Sequence, residues 1–450
     1  MSPAGAECLV PTLVVLVLAV LSKRTIEPLL AGVIVGLAMI DPANLLGAFA
    51  QTMLAVMGDE TIGWVVMVCG LMGSLIALLA RMGGAAAFGQ LVARRVRGRT
   101  GALLTTWLLG LSIFIDDYLN ALAISSSMRK VTDRLRVSRE MLAYVVDSTA
   151  APVCVLVPLS TWAVYFAAVV EQQEAVERGQ GMLIYIEAIP WMLYPWVALA
   201  IVPLVILRVV PVIGPMKGAD HRASASAERP LEEQRTVDGD EPGDSGLKSV
   251  LLNFVVPMLT LIGFTWYLDV DILKGVLVAL AVTLALAAVQ RKLPAGAVFD
   301  TMLDGFKSML LPLGTVVAGF MLKEVNDQLQ LAPYVIEIVR PVMTPGLLPM
   351  TVFLVMSLVA FATASFWGIL AVAFPIVLPL ATSVGADIPM VVGAMISASA
   401  CGSHACFYGD STVLSAHGSG CGAVEHAVTQ LPYVIIAASL AALGYLIAGL

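Results

Sequence analysis

The sequence predicts an all-α polytopic membrane protein of two inverted-topology repeats, each with about five spans, a re-entrant hairpin and a broken helix. Three observations carry this. The 450 residues are 59% apolar and 13% charged, whereas a soluble globular chain carries roughly 25% charged residues. So few charges cannot cover a water-facing surface, which excludes a soluble enzyme, a nucleic-acid-binding protein and a disordered chain. Apolar runs recur along the whole chain. Finally, a polar triplet, Asp-Ser-Thr, occurs twice inside such runs, at matching places in the two halves.

The first half, 1–210, has apolar runs near Leu9–Leu21, Leu29–Ile40, Trp64–Ala80, Ala102–Met128, Met141–Val170 and Ile186–Val210. The first follows Glu7 with no basic segment before it, so it reads as a retained span and not a cleaved signal. A stretch rich in Glu, Asp, Arg, Ser and Gly follows and reads as a solvated cytoplasmic linker, 211–247. The second half, 248–450, has runs near Val250–Leu268, Ile272–Val289, Met302–Leu322, Leu347–Leu380, Met390–Ser415 and Thr429–Leu450.

Basic residues set the sides, because Lys and Arg concentrate in cytoplasmic loops. Lys23 and Arg24 follow the first run, which puts the N-terminus outside. Two further runs return the chain to the cytoplasm at Arg81, Arg94, Arg95, Arg97 and Arg99. The next run is followed by Arg129, Lys130, Arg134, Arg136 and Arg139. A single crossing would leave one basic cluster outside. A hairpin over about 101–128 keeps both inside, with Asp116, Asp117, Tyr118 and Asn120 at its polar tip. The broken-helix run, about 141–170, then exits to an acidic loop with Glu171, Glu174 and Glu177, and Trp191–Arg208 returns. An odd number of crossings makes a second copy start from the opposite side. In that copy Leu310–Arg340 resembles Trp64–Arg99 but carries only Lys323 and Arg340, diluted by Glu324, Asp327 and Glu337 in a solvated arm. Leu347–Leu380 is the second hairpin, about 347–380, with Thr363-Ala364-Ser365 at its centre; the second broken helix covers about 390–415. Both termini fall outside.

Asp147-Ser148-Thr149 and Asp410-Ser411-Thr412 each follow a proposed hairpin. An aspartate at mid-depth costs roughly 2.5–3.5 kcal/mol on insertion scales, so it persists where function needs it. The triplet is also an ordinary helix N-cap pattern; two copies inside apolar runs favour the functional reading. Ala150-Ala151-Pro152, and Gly402, Gly409 and Gly418, favour a break in each helix. A broken helix frees carbonyls and amides that can hold a small cation or an anionic group. Asp116 and Asp117 read either as a cation or proton site or as a tip that reaches water, and adjacent carboxylates repel. Ser125-Ser126-Ser127 serve the local backbone. His404 stays open between a structural and a proton-linked role. His221 falls in the solvated linker, and His417 and His426 fall in a loop. Thr161, Trp162, Thr363, Trp367 and Tyr408 are candidate pocket walls or interface anchors. The six cysteines form no CxxC pair and read as small buried hydrophobes. With no P-loop or dinucleotide motif, energy would come from an ion gradient.

The stretch Ser112-Ile-Phe-Ile-Asp-Asp-Tyr-Leu-Asn120, with Met128–Asp133, Ser138–Pro152 and Pro158–Trp162, resembles the NhaC-type Na+/H+ antiporter family. Ser365-Phe-Trp-Gly368, His404, Asp410-Ser-Thr412 and Thr429-Gln-Leu-Pro432 resemble its second signature. The chain departs from the family pattern at Ser403, Gly409 and Ser125-Ser126. The resemblance implies a bacterial inner-membrane transporter in which a mobile transport domain moves elevator-fashion against a scaffold, often in a homodimer. It implies coordinating roles for Asp116, Asp117, Asn120, Asp147, Ser148, Thr149, Ser365, Asp410 and Thr412.

The expectation is therefore a secondary transporter coupled to Na+, with Na+ held by Asp147, Thr149, Asp410 and Thr412 and with Ser411 and His404 nearby. Na+ and H+ are the coupling ions; no cofactor and no nucleic-acid partner are expected. The alternative is a Na+- or H+-coupled carrier of a small organic solute. An ion channel and an intramembrane aspartyl protease are remoter rivals, and the Gly expected two residues before a protease aspartate is replaced by Tyr408.

Overall fold

The computed structural model describes residues 5–22, 24, 26–84, 96–173, 176–177, 179–225, 251–268, 271–290, 293–363, 366–407 and 409–450. At some of these, Thr363 and Asp410 among them, it describes the backbone alone. The described residues are helical, with no strand among them. Five helices among them are long and apolar enough to cross a bilayer, or seven if two bent pairs each count as one span.

The first half runs α1 (Val10–Ser22), α2 (Ile26–Ile40), α3 (Leu45–Met57) and α4 (Glu60–Arg81). Helices α5 (Gly98–Ser112) and α6 (Asp117–Arg134) follow, packed on each other around a non-helical turn, 113–116. The long run after them is broken twice, into α7 (Arg139–Asp147), α8 (Ala151–Leu156) and α9 (Thr161–Glu171). The 42° bend lies at the second break, before α9. Helices α10 (Gly181–Ala188) and α11 (Leu193–Ile206) form another pair, bent by 46°.

The stretch expected as a solvated linker begins instead with a packed helix, α12 (Gly214–Ala225). It buries Met216, Ala219 and Asp220 because these fall on one helical face. Asp220 accepts from Ser138 Oγ at 2.9 Å and pairs with Arg99 at 2.5 Å and Arg208 at 3.1 Å. His221 lies on the exposed face, as expected. Residues 226–247 of the linker, and the arm at 85–95, lie outside the described residues.

The second half runs α13 (Val256–Tyr267), α14 (Ile272–Gln290), α15 (Ala295–Ser308), α16 (Leu310–Gln328) and α17 (Leu331–Val339). Then come α18 (Leu347–Thr363) and α19 (Gly368–Val384), the expected second hairpin pair, whose tip at 364–365 is outside the described residues. Helix α20 (Ile388–Ala405) is buried from Met390 onward, and α21 (Asp410–Ser419) and α22 (Ala423–Ala448) close the chain.

Two helices do not follow the apolar runs. Helix α3 is apolar but falls between the expected runs, and Asp300, Asp304 and Lys307 interrupt the hydropathy of α15. Helix α15 nevertheless packs tightly on α4, where Gly73 and Gly305 approach so closely that neither has room for a Cβ. The packing is reciprocal: α4 lies against α14 and α15, while α16 lies against α2 and α3.

Candidate functional site

Helix α7 starts at Ser138, whose hydroxyl caps the Met141 amide, and stops at Asp147. It stops because Ala150 leaves helical geometry (φ −80°, ψ −93°) and because Pro152 cannot donate to the preceding turn. The break frees backbone groups among buried residues, where an unpaired carbonyl costs about 1–3 kcal/mol. Asn120, wholly buried on α6, meets this demand. Its Nδ2 donates to Thr149 O at 3.0 Å, and to Gly110 O (2.9 Å) and Ile113 O (2.7 Å) at the end of α5. One amide thus ties the first hairpin to the first break. Gly110 allows the approach, since a Cβ there would strike the Thr149 side chain.

Asp147 is 1% exposed. Its Oδ2 accepts from Gln430 Nε2 at 2.8 Å, Thr412 Oγ1 at 3.1 Å and His426 Nε2 at 3.2 Å. Its Oδ1 has no partner among the described residues, and neither do Gln430 Oε1 or His426 Nδ1. Gln430 also donates to His404 O at 2.7 Å, at the end of α20, so it stitches the second break to Asp147. His404 is buried with both ring nitrogens engaged: Nδ1 lies 2.7 Å from Tyr194 OH and Nε2 lies 3.0 Å from Ser148 Oγ. Ser411 and Ser403 hydroxyls meet at 3.2 Å.

A second polar cluster forms at the tip of the first hairpin. Asp116 caps α6: its Oδ1 accepts from the Tyr118 and Leu119 amides, both at 3.0 Å, and its Oδ2 from Thr161 Oγ1 at 3.3 Å. Asp117 Oδ1 accepts from Trp162 Nε1 at 3.0 Å. Trp162, 1% exposed, also lies 4.9 Å, ring to ring, from Trp367 at the head of α19. It therefore sits between the two hairpin pairs. The Thr161 and Trp162 side chains thus hold the two acids of the first tip.

The expected ligands divide accordingly. Asp147 and Thr412 meet, while Thr149 Oγ1 donates to the Val145 and Val146 carbonyls in the last turn of α7. The Asp410 and Thr363 side chains, and Ser365 and Tyr408, lie outside the described residues. The two Asp-Ser-Thr triplets are not equivalent. The first ends a helix and the second begins one, with Gly409 at its N-cap. The second break, 406–409, precedes its triplet. Gly402 and Gly418 break nothing. They lie within helices and let Ala360 and Ser125 come close.

Two corrections concern histidines. His426 is not in a loop: it lies in the first turn of α22, wholly buried. His417 is in the last turn of α21 and exposed. The residues that sequence reasoning missed are His426, Gln430 and Tyr194. The first two are four apart at the start of a 26-residue apolar helix, hence on one face, and that polar pair is the signal that could have found them.

Helices long enough to cross a bilayer, unwound beside a buried and half-satisfied carboxylate, define a polytopic membrane transporter. The chain belongs to the Na+/H+ antiporter family, whose model matches residues 153–450, more than half its length. It is 26% identical over 477 residues to an uncharacterised protein of Haemophilus influenzae, covering 98% of this chain and 90% of that one. Its fold is similar to the YdaH transporter of Alcanivorax borkumensis (TM-score 0.60, 12% identity, 90% of this chain and 89% of that chain). It is also similar to Neisseria gonorrhoeae MtrF, of a class of antimetabolite efflux pumps (TM-score 0.52, 13% identity, 91% and 85%).

Proposed function

We propose that the protein is a secondary active transporter that exchanges Na+ for H+, with Asp147 holding the travelling cation. One observation carries the reading: Asp147 Oδ2 takes three donors while Oδ1 has none among the described residues. A bare carboxylate oxygen on a buried side chain calls for a cation. With the unpaired Gln430 Oε1 on the neighbouring side chain, the donors are hard oxygens, which suit a hard ion. The three bonds on Oδ2 hold the carboxylate in place, so Oδ1 is oriented before the ion arrives.

The reciprocal packing of α4 with α14 and α15, and of α16 with α2 and α3, supports two inverted repeats, 1–210 and 248–450. In this reading the hairpins and broken helices form a transport domain that moves as an elevator against the remaining helices. The protein works as a homodimer in the bacterial inner membrane, with both termini outside. Na+ couples transport because it binds the loaded, mobile state differently from the empty one.

The test is flux in proteoliposomes. The wild type should show Na+ efflux driven by an inward proton gradient, and Asp147→Asn should abolish it. Unchanged Na+ transport in Asp147→Asn would remove the assignment. Proton-coupled flux of an organic solute, with no Na+ flux, would replace Na+ as the cargo.

A further inference from the structure

Helix α12 borders two cavities, and they differ in charge. One, of about 420 Å3, is balanced: Arg136, Arg139 and Arg222 are matched by Asp133, Glu140 and Glu425. The other, of about 450 Å3, is lined by Arg99, Arg208 and Lys217, and Asp220 is the one acid among its described lining residues. Three positive charges against one negative leave it in excess of cation.

Asp220 does not use up the donors around it. Arg208 gives it Nη2 alone, at 3.1 Å. Arg99 Nη1 donates to Arg136 O at 3.3 Å. The buried Arg99 Nη2 has no hydrogen-bond acceptor among the described residues: Asp220 Oδ1 is within ion-pair reach at 2.5 Å but off the direction of its N–H bonds. Lys217 is exposed and has no ion pair among the described residues. Arg208 is also held at a conformational cost. Its φ is +63°, in the left-handed region that side chains with a Cβ rarely adopt. Such a residue persists where its surroundings fix it for a purpose. Leu204, Leu207 and Val209, which flank Arg208 in the chain, are all exposed, as side chains that meet lipid are.

We infer that this cavity binds a phosphate group, and that a phospholipid headgroup at the cytoplasmic face supplies it. Guanidinium forks match phosphate oxygens two at a time, and an ammonium adds a mobile third donor. Basic pockets between membrane helices on the cytoplasmic side take anionic headgroups in this way, with the acyl chains on the apolar surface beside them. A phosphate held here ties the start of α5, the end of α11 and α12 together. It does so beside Ser138, whose hydroxyl bonds Asp220 and caps α7. The inference does not depend on which ion or solute is transported.

Thermal unfolding of the full chain in detergent tests it. Short-chain phosphatidylglycerol should raise Tm by about 5 °C near saturation, compared with phosphatidylcholine of the same chain length. Inorganic phosphate, compared with chloride at equal ionic strength, is the second arm. A rise with phosphatidylglycerol alone assigns the cavity to a lipid headgroup. A rise with inorganic phosphate as well, or with it alone, keeps the phosphate site and makes free phosphate its ligand too. No rise in either arm overturns the inference. Lys217→Gln changes an exposed side chain and should fold; it should need about fivefold more lipid for the half-maximal rise. Arg208→Gly suits the left-handed backbone and removes the guanidinium, so it should weaken binding at least as much. Lys130→Gln, an exposed position outside the cavity and within the basic stretch that follows the first hairpin, should keep the wild-type value. Equal losses in Lys130→Gln and Lys217→Gln would show attraction to general positive charge and would also overturn the site.

Discussion

Asp116 and Asp147 are both buried aspartates beside a helix break, 4% and 1% exposed, and the fold uses them in opposite ways. Asp116 spends both carboxylate oxygens on structure, two amides on one and the Thr161 hydroxyl on the other. Asp147 gathers its donors on Oδ2, and Oδ1 is bare among the described residues. Depth and residue type are shared; the difference is hydrogen-bond satisfaction. A satisfied buried acid suits a structural part, and on the proposed reading the half-satisfied one is the acid that receives the cation.

The sharpest way to break this comparison is to make the same change at both places. Asp147→Asn removes the charge from the bare oxygen, and the loss of one ionic contact, roughly 3 kcal/mol, lowers Na+ affinity about 100-fold. Na+ binding by calorimetry checks it. Next is Asn120→Ala, which removes the two N–H donors shared by three buried carbonyls and costs about 1–3 kcal/mol. It should lower Tm strongly and reduce the yield of folded protein, by thermal unfolding in detergent. Asp116→Ala loses a helix cap worth about 0.5–2 kcal/mol, so Tm falls modestly while the KM for Na+ holds. Smallest is Asp116→Asn, because asparagine caps a helix about as well as aspartate; transport assays should show a near-wild-type carrier. If Asp116→Asn and Asp147→Asn prove equally damaging, the division of roles is wrong.

Much of the frame is legible in the chain. The basic clusters on both sides of 101–128 locate the first helix pair, and Pro152 with the alanines before it locates a break. Three features escape that reading. Helix α15 escapes because Asp300, Asp304 and Lys307 interrupt its hydropathy although one face packs. Helix α12 escapes because Met216, Ala219 and Asp220 are too few to register as an apolar run yet suffice for one face of a short helix. His426 escapes because it stands at the edge of a span, where histidine ordinarily faces water. Likewise, the repeated Asp-Ser-Thr points to the right region but not to equivalent positions, since one triplet closes a helix and the other opens one.

The sequence by itself determined that this chain lives in lipid, where it unwinds, and that acids are buried near those places; hydropathy and backbone chemistry are local and can be read locally. Only the tertiary structure decided which acid is left wanting. The donors on Asp147 come from residues 265, 279 and 283 positions away. Whether an oxygen is satisfied depends on what distant segments bring to it, and no local pattern contains that information.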